Sequence, residues 1–185
     1  MQAAFRKLLA EAIGEHRVEQ ALAGLASEAS VSLRLNPFKH TDAFPLGGDG
    51  ECRPVAWSEH GRLLSGRPVF TLDPLLHAGA YYVQDSSAMY VGELFRNLLS
   101  RLERPQDRPL RVLDLCAAPG GKTTDAAASL RAVCGDSYLL VANEIMRSRA
   151  GVLADNVAIW GDPCVAVSSL DPAAFASLPE FFDII

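Results

Sequence analysis

The chain lacks any apolar run approaching the roughly 18 residues that a membrane-spanning helix needs. Its opening, Met1 to Ala10, carries charges inside the apolar pattern, so a cytoplasmic location is expected. The four cysteines (Cys52, Cys116, Cys134, Cys164) form no Cys-x-x-Cys pair, and the histidines are not clustered. That spacing argues against a structural zinc site and against a secreted disulfide framework; reduced thiols are expected, and no metal is called for. Aromatic residues are only 8% of the chain, there is no basic stripe, and the net charge is -5. A protein that coats nucleic acid through charge alone is therefore disfavoured. No internal repeat or low-complexity tract occurs.

What is present is enough apolar material for a core, 49% hydrophobic against 21% charged residues. The charge is uneven. From Val31 to Phe70 five Lys/Arg face four Asp/Glu, whereas from Thr71 to Ile185 nine face fourteen. The first stretch is thus the better place for any RNA contact, by one unit of charge.

Phe5, Leu8, Leu9 and Ile13, then Ala21, Leu22 and Leu25 beyond Gly14, predict two short amphipathic helices, for which a core role suffices. Val31-Ser-Leu-Arg-Leu35 alternates with period two and ends at Asn36-Pro37, the pattern of a short strand. A Gly- and Pro-rich loop follows from Pro45 to Gly50, then strand-like pieces at 55–57 and 69–71. Together these predict a small α+β unit. Asp85-Ser-Ser87 can cap a helix whose residues Met89, Val91, Leu94, Phe95, Leu98 and Leu99 suggest burial on one broad face. Residues 104–109, with two prolines, read as a linker. The domains expected are 1–84, a small appendage, and 85–185, with the linker at about 103–109.

Beyond the linker, strand and helix alternate. Strands are expected at 110–115, 138–142 and 165–168, helices at 120–130 and 146–159, and a fourth strand opening at 181–185. Such alternation implies a parallel α/β sheet, because each crossover helix returns the chain to the same end.

Between the first of these strands and its helix lies Leu113-Asp-Leu-Cys-Ala-Ala-Pro-Gly-Gly-Lys-Thr123. Small residues let a ligand approach the backbone, and ligands of α/β sheets bind beyond the carboxyl ends of the strands, near helix N-termini. A phosphate loop of the Gly-x-x-x-x-Gly-Lys-[Ser/Thr] kind would need its first glycine at Cys116, and the dinucleotide pattern fails because Gly120 and Gly121 are adjacent. Only Gly121-Lys-Thr123 favours a nucleotide triphosphatase. Glu144 ends the next predicted strand, where an acidic side chain can accept hydrogen bonds from both hydroxyls of a ribose; the alternative is a solvated helix cap. Asp171, after the third strand, could meet an adenine amino group or simply start an Asp-Pro helix.

These residues resemble the cofactor signature of the Sun-type RNA cytosine-5 methyltransferases. The likeness continues through Ser32-x-Arg34-x-Asn36-Pro37-x-Lys39, Leu72 to Ser87, and Ala142-Asn-Glu144 through Arg149 to Asn156, which look most like the bacterial small-subunit ribosomal RNA group F. The resemblance implies a Rossmann-like methyltransferase sheet, cut after its fourth strand, behind a small RNA-facing α+β appendage. It implies S-adenosylmethionine as cofactor, wrapped by Cys116, Ala117, Ala118, Pro119, Gly120, Gly121 and Lys122, with Glu144 on its ribose and Asp171 beside adenine. On electrostatic grounds Lys122 suits the methionine carboxylate; the alternative is an ordinary exposed lysine at a helix start. The implied partner is RNA, ribosomal by that group.

Methylating carbon 5 of cytosine requires a thiolate that first adds at carbon 6. The resemblance places such cysteines after the fourth and fifth strands, and this chain stops at Phe182-Asp-Ile-Ile185. Cys164 follows a proline but precedes the third strand, and Cys52 and Cys134 match nothing catalytic. No catalytic residue is assigned, and the chain alone is expected to be inactive. The rival reading is a non-catalytic RNA-binding or assembly module that keeps the fold, in which Tyr81 and Tyr82 would stack on bases or, more simply, fill the core.

Overall fold

The computed structural model describes residues 3–39 and 52–185. The loop expected at 45–50 lies outside the described residues. The chain forms two compact units, Met1–Ser30 and Val31–Ile185.

In the first unit α1 (Ala3–Ile13) and α2 (Glu15–Ala26) form where the apolar spacing predicts them. An Arg6–Glu19 ion pair links the helices, and the Ser27 hydroxyl donates to the Gly24 carbonyl at 2.7 Å to close α2. The core role expected for them is not what is found. No residue of α1 is buried, α2 buries only Val18, and Leu8 and Leu25 are 63% and 62% exposed. Two short helices offer one seam, too little second layer to cover two apolar stripes.

The second unit holds both sheets. The antiparallel sheet has the order β2-β3-β1-β4, from β1 (Val31–Leu35), β2 (Arg53–Val55), β3 (Ser58–Leu64) and β4 (Tyr81–Val83). Period-two alternation in β1 predicts one buried face, yet Ser32, Leu33 and Arg34 are all buried. Side chains alternate across a strand, so both faces of this central strand are covered. Two strand expectations are corrected. At 55–57 only Val55 is in a strand, since Ala56 and Trp57 make the tight turn that brings Val55 opposite Ser58. At 69–71 there is a 3-10 turn, Phe70–Leu72, with Leu72 N–H donating to the Val69 carbonyl at 3.0 Å. It leads into the short helix α3 (Pro74–His77), capped by Asp73, whose carboxylate accepts from Leu75 N–H at 2.9 Å and from the Tyr81 hydroxyl at 2.8 Å. The strand propensity of Val-Phe-Thr yields there to turn chemistry.

Helix α4 (Ser86–Leu99) starts at its Asp85 cap, whose carboxylate accepts from Ser87 N–H at 2.8 Å. Its buried face is narrower than expected: Met89, Gly92 and Leu99 are buried, while Val91, Leu94 and Leu98 are exposed. Residues 104–109 are irregular, as a linker should be.

The parallel sheet has the order β5-β6-β7, from β5 (Leu110–Asp114), β6 (Tyr138–Asn143) and β7 (Val165–Ser168), connected through α5 (Gly121–Cys134) and α6 (Arg147–Trp160). A core of Leu99, Leu110, Val112, Ala127, Leu130, Tyr138 and Leu140 joins α4 and α5 to the sheet, and a second cluster of Ala117, Ala118, Ala142, Leu153 and Val157 seats α6. The fourth strand expected at 181–185 is present as one parallel bridge, Val112 to Ile184, on the side of β5 away from β6. Arg108 fixes this segment with two bonds to Asp183, at 2.7 and 2.6 Å. That guanidinium holds the Asp183 carboxyl below the usual range. Among the described residues, no helix is long and apolar enough to cross a membrane.

Candidate functional site

The strand order locates the site. From β5 the chain runs outward through β6 to β7, then returns to place Ile184 on the other side of β5. Strand order reverses at β5, and a crevice opens at such a point beyond the carboxyl ends of the strands. The 115–120 turn sits there. A hollow of about 220 Å³ beside it is lined by Asp114, Leu115 and Lys122 with Gly92, Phe95 and Ile184. A larger one, about 420 Å³, is lined by the polar linker 104–109 with Cys134 and Ser137, at the opposite ends of the same strands. Of these two the smaller hollow is the better candidate, because it meets the α5 N-terminus and the carboxyl end of β5; of the residues expected to hold the cofactor, Lys122 alone lines it.

The turn is held from within. Ala117 N–H donates to the Asn143 carbonyl at 2.8 Å, and Gly120 N–H to the Ala117 carbonyl at 2.8 Å. The Ala118–Pro119 peptide is cis, and Gly120 takes a left-handed conformation, φ 110°, that only glycine adopts cheaply. Helix α5 then begins with Gly121. Thr123 donates to Asp114 at 2.6 Å, tying the first helical turn to the end of β5. The first N–H groups of a helix have no acceptor within it and so are available to a ligand.

Of the residues singled out in the sequence, Cys116 and Lys122 are exposed in the turn and at the helix start, while Ala117, Ala118 and Gly120 are buried. Glu144 stands just past β6 and is buried, not solvated. It does carry the helix-capping bond of its alternative reading, accepting from Met146 N–H at 3.0 Å, and it pairs with Arg149 at 3.4 Å. Asp171 is exposed and caps a 3-10 turn, Pro172–Ser177, accepting from Ala173 N–H at 2.8 Å; this is the Asp-Pro start its sequence allows.

Several organising residues carried no assigned role in the sequence reading. Asn143 is fully buried and joins three strand ends: its amide donates to the Leu115 and Leu170 carbonyls at 3.3 and 3.0 Å, while its oxygen accepts from the Ser168 hydroxyl and from Leu170 N–H. Arg149 reaches from α6 to the Ala118 carbonyl at 2.8 Å. Asn156 donates to the Pro119 carbonyl at 2.8 Å, and Tyr82 donates to the same oxygen at 3.1 Å. Asn143, Arg149 and Asn156 stand in a segment that carries the family resemblance, which was their only signal; Tyr82 stands in another such segment and was weighed as a base-stacking or core aromatic, not as a partner of the turn.

The basic stretch also differs from expectation. Arg34 is buried, and Lys39 donates to the Ala78 carbonyl at 2.7 Å and to the Ile159 carbonyl near the end of α6. A cation there complements the negative end of the helix. Two of the five positive charges between Val31 and Phe70 thus serve the fold.

Residues 1–86 match a family model described as the N-terminal domain of 16S rRNA methyltransferase RsmF, and residues 101–185 one described as 16S rRNA methyltransferase RsmB/F. The chain is 35% identical over 167 residues to ribosomal RNA small subunit methyltransferase F of Pectobacterium atrosepticum, with 83% of this chain aligned. It spans 31% of that relative's length. A methyltransferase homolog from Pyrococcus horikoshii superposes with a TM-score of 0.70 at 20% identity, covering 92% of this chain and 53% of that one. NSun6 from Pyrococcus horikoshii, solved with SFG, superposes with a TM-score of 0.64 at 12% identity, covering 95% and 67%. At these identities the two structures establish a shared fold.

Proposed function

Because the chain belongs to the RsmB/F family of 16S rRNA methyltransferases, we propose that it carries the S-adenosylmethionine-binding portion of an RNA cytosine-5 methyltransferase. The observation that carries this reading is the 115–120 turn at the strand-order reversal, with a buried carboxylate, Glu144, at the end of the neighbouring strand. The residues suit the cofactor. The Lys122 ammonium and the α5 N-terminus offer positive charge to its carboxylate. Glu144 uses one oxygen for Met146 N–H and the other for Arg149, and a carboxylate accepts about four hydrogen bonds, so acceptor sites remain for two ribose hydroxyls. Cys116 to Gly121 would wrap the middle of the molecule, and Asp171 would lie beside adenine. When bound, the cofactor supplies an activated methyl group on sulfur.

The transfer itself is assigned to no residue. Cys134 ends α5 and Cys164 precedes β7, both at the strand ends away from the turn, and Cys52 precedes β2, at the far edge of the antiparallel sheet from β4. Cys116 lies within the turn, where its backbone is what would meet the cofactor. The expected outcome for the chain alone is cofactor binding without formation of 5-methylcytosine. Residues 1–84 would form the RNA-facing appendage and 85–185 the cofactor half, with ribosomal RNA as the partner that the relative's name suggests.

The test is retention of labelled S-adenosylmethionine by the purified chain, with competition by S-adenosylhomocysteine and, separately, by ATP with magnesium. Competition by the first alone supports the proposal. Competition by ATP with phosphate release would favour a triphosphatase.

A further inference from the structure

The side of the turn away from the crevice rests on the antiparallel sheet. Arg34, in the central strand β1, is 1% exposed and the largest of the fully buried side chains. Its Nη2 donates to Thr124 Oγ1 at 2.6 Å and to the Gly121 carbonyl at 3.2 Å, and its Nε donates to Gln84 Oε1 at 2.9 Å. Asp125 Oδ2 lies 3.7 Å from Nε, and the Trp160 ring lies under the guanidinium, 4.6 Å from centroid to Cζ. Burial depresses the Arg34 pKa to about 10, against the opposing pull of Asp125.

Three consecutive carbonyls at the start of α5 are thereby held by side chains. Pro119 O accepts from Tyr82 and Asn156, Gly120 O accepts from Thr124 Oγ1 at 2.9 Å, and Gly121 O accepts from Arg34. Arg34 also donates to the same Thr124 hydroxyl, which leaves that hydroxyl's single proton for Gly120 O at 2.9 Å or Gly121 O at 3.2 Å. In a planar trans peptide the carbonyl of one residue and the N–H of the next point in opposite directions. Holding Gly121 O on Arg34 of the antiparallel sheet, and Gly120 O on Thr124, therefore aims the Gly121 and Lys122 N–H groups the other way.

A buried ion pair is a poor device for stability, because desolvation consumes most of its Coulomb gain, and apolar residues of the same volume often do as well. A guanidinium with several fixed donors is a good device for orienting carbonyls. We infer that Arg34 is a positioning residue for the cofactor turn, acting through Thr124 and the Gly121 carbonyl to present the Gly121 and Lys122 N–H groups to the amino-acid end of the ligand. This rests on the reading that the turn binds S-adenosylmethionine. It extends that reading by making one residue of the antiparallel sheet part of the cofactor machinery.

The test uses the whole chain with Arg34→Met, which keeps the volume and removes the donors, and Arg34→Lys, which keeps the charge and one donor direction. Should the first fail to fold, the second carries the test. Two readouts apply. Hydrogen exchange without ligand follows Thr124 N–H and Gly120 N–H, which donate to Gly120 O and Ala117 O, against Leu140 N–H in the core of the parallel sheet. Calorimetry compares S-adenosylhomocysteine, which has an amino-acid end, with adenosine, which has none. The expected result is a tenfold or greater loss of protection at Thr124 and Gly120 with Leu140 unchanged. S-adenosylhomocysteine should weaken at least tenfold and adenosine less than twofold, with Arg34→Lys intermediate. Unchanged protection in the turn, or equal weakening of both ligands alongside loss at Leu140, overturns the inference. If the wild type binds neither ligand, the cofactor reading fails, and hydrogen exchange alone decides whether Arg34 holds the turn.

Discussion

Replacing Gly120 tests whether the turn has the conformation that the site requires. At φ 110° any other L-residue pays about 1–2 kcal/mol for the left-handed backbone. An alanine Cβ would fall 3.1 Å from Leu153 Cδ1, a tight contact that the leucine methyl relieves by moving a few tenths of an ångström, and 3.7 Å from Asn156 Cβ, an ordinary one. Gly120→Ala should therefore cost about 1–2 kcal/mol, nearly all of it from the backbone. Valine adds two methyl groups against Leu153, which is fully buried, and overpacking of that kind adds about 1–3 kcal/mol. Gly120→Val should then lose about 2–5 kcal/mol in all. With a urea slope of about 2 kcal/mol per molar, the midpoint falls by roughly 1–2.5 M. Gly120→Ala is the control, since it carries the same backbone penalty as the valine at the same position. Urea denaturation of the alanine and valine variants, followed by circular dichroism, isolates the packing contribution. Equal midpoints for Gly120→Val and Gly120→Ala would refute the reasoning.

Asp162 accepts from Arg131 at 2.8 and 2.7 Å, from the Tyr138 hydroxyl and from Cys164 N–H, so Asp162→Ala removes these acceptors, leaves Arg131 the exposed Asp136 as counter-ion, and should cost about 2–4 kcal/mol in a urea titration. Burial pushes the Asp162 carboxyl up, but these hydrogen bonds together hold it below its ordinary 3.8. The difference in stability between wild type and variant should therefore be full at neutral pH and shrink as pH falls below about 4, through the lowered folded-state value. In the opposite direction, Gly151 is exposed inside α6, and a Cβ added there would meet nothing within 4 Å, so Gly151→Ala should stabilise by about 0.5–1 kcal/mol, read as a higher thermal midpoint.

The parallel sheet was legible because its signals are local and agree. Short apolar strands alternating with helical segments, and a turn of small residues, predicted β5, β6, β7, α5 and α6 to within a few residues of the observed bounds. The turn and Glu144 followed from the same topology. The antiparallel sheet was less legible: Ser58–Leu64 carries Glu59, His60, Gly61 and Arg62, so its strand comes from pairing with β1 and β2 and not from propensity. The helix hairpin shows the converse, with good periodicity but little burial. Arg34 was the hardest to read. An arginine alternating with leucines implies a solvent-facing side chain, and only the tertiary arrangement of Gln84, Thr124, Asp125 and Trp160 makes its burial tolerable. Such long-range partners leave no periodic trace in the sequence.

Calorimetric titration with S-adenosylmethionine of the wild-type chain and of Glu144→Ala tests the central claim most directly. Hydrogen bonds to a charged group contribute about 1.5–3 kcal/mol each, so saturable wild-type binding should weaken at least tenfold in the variant, provided that both are equally folded. Undiminished binding by Glu144→Ala, or no binding by a folded wild type, would contradict the account.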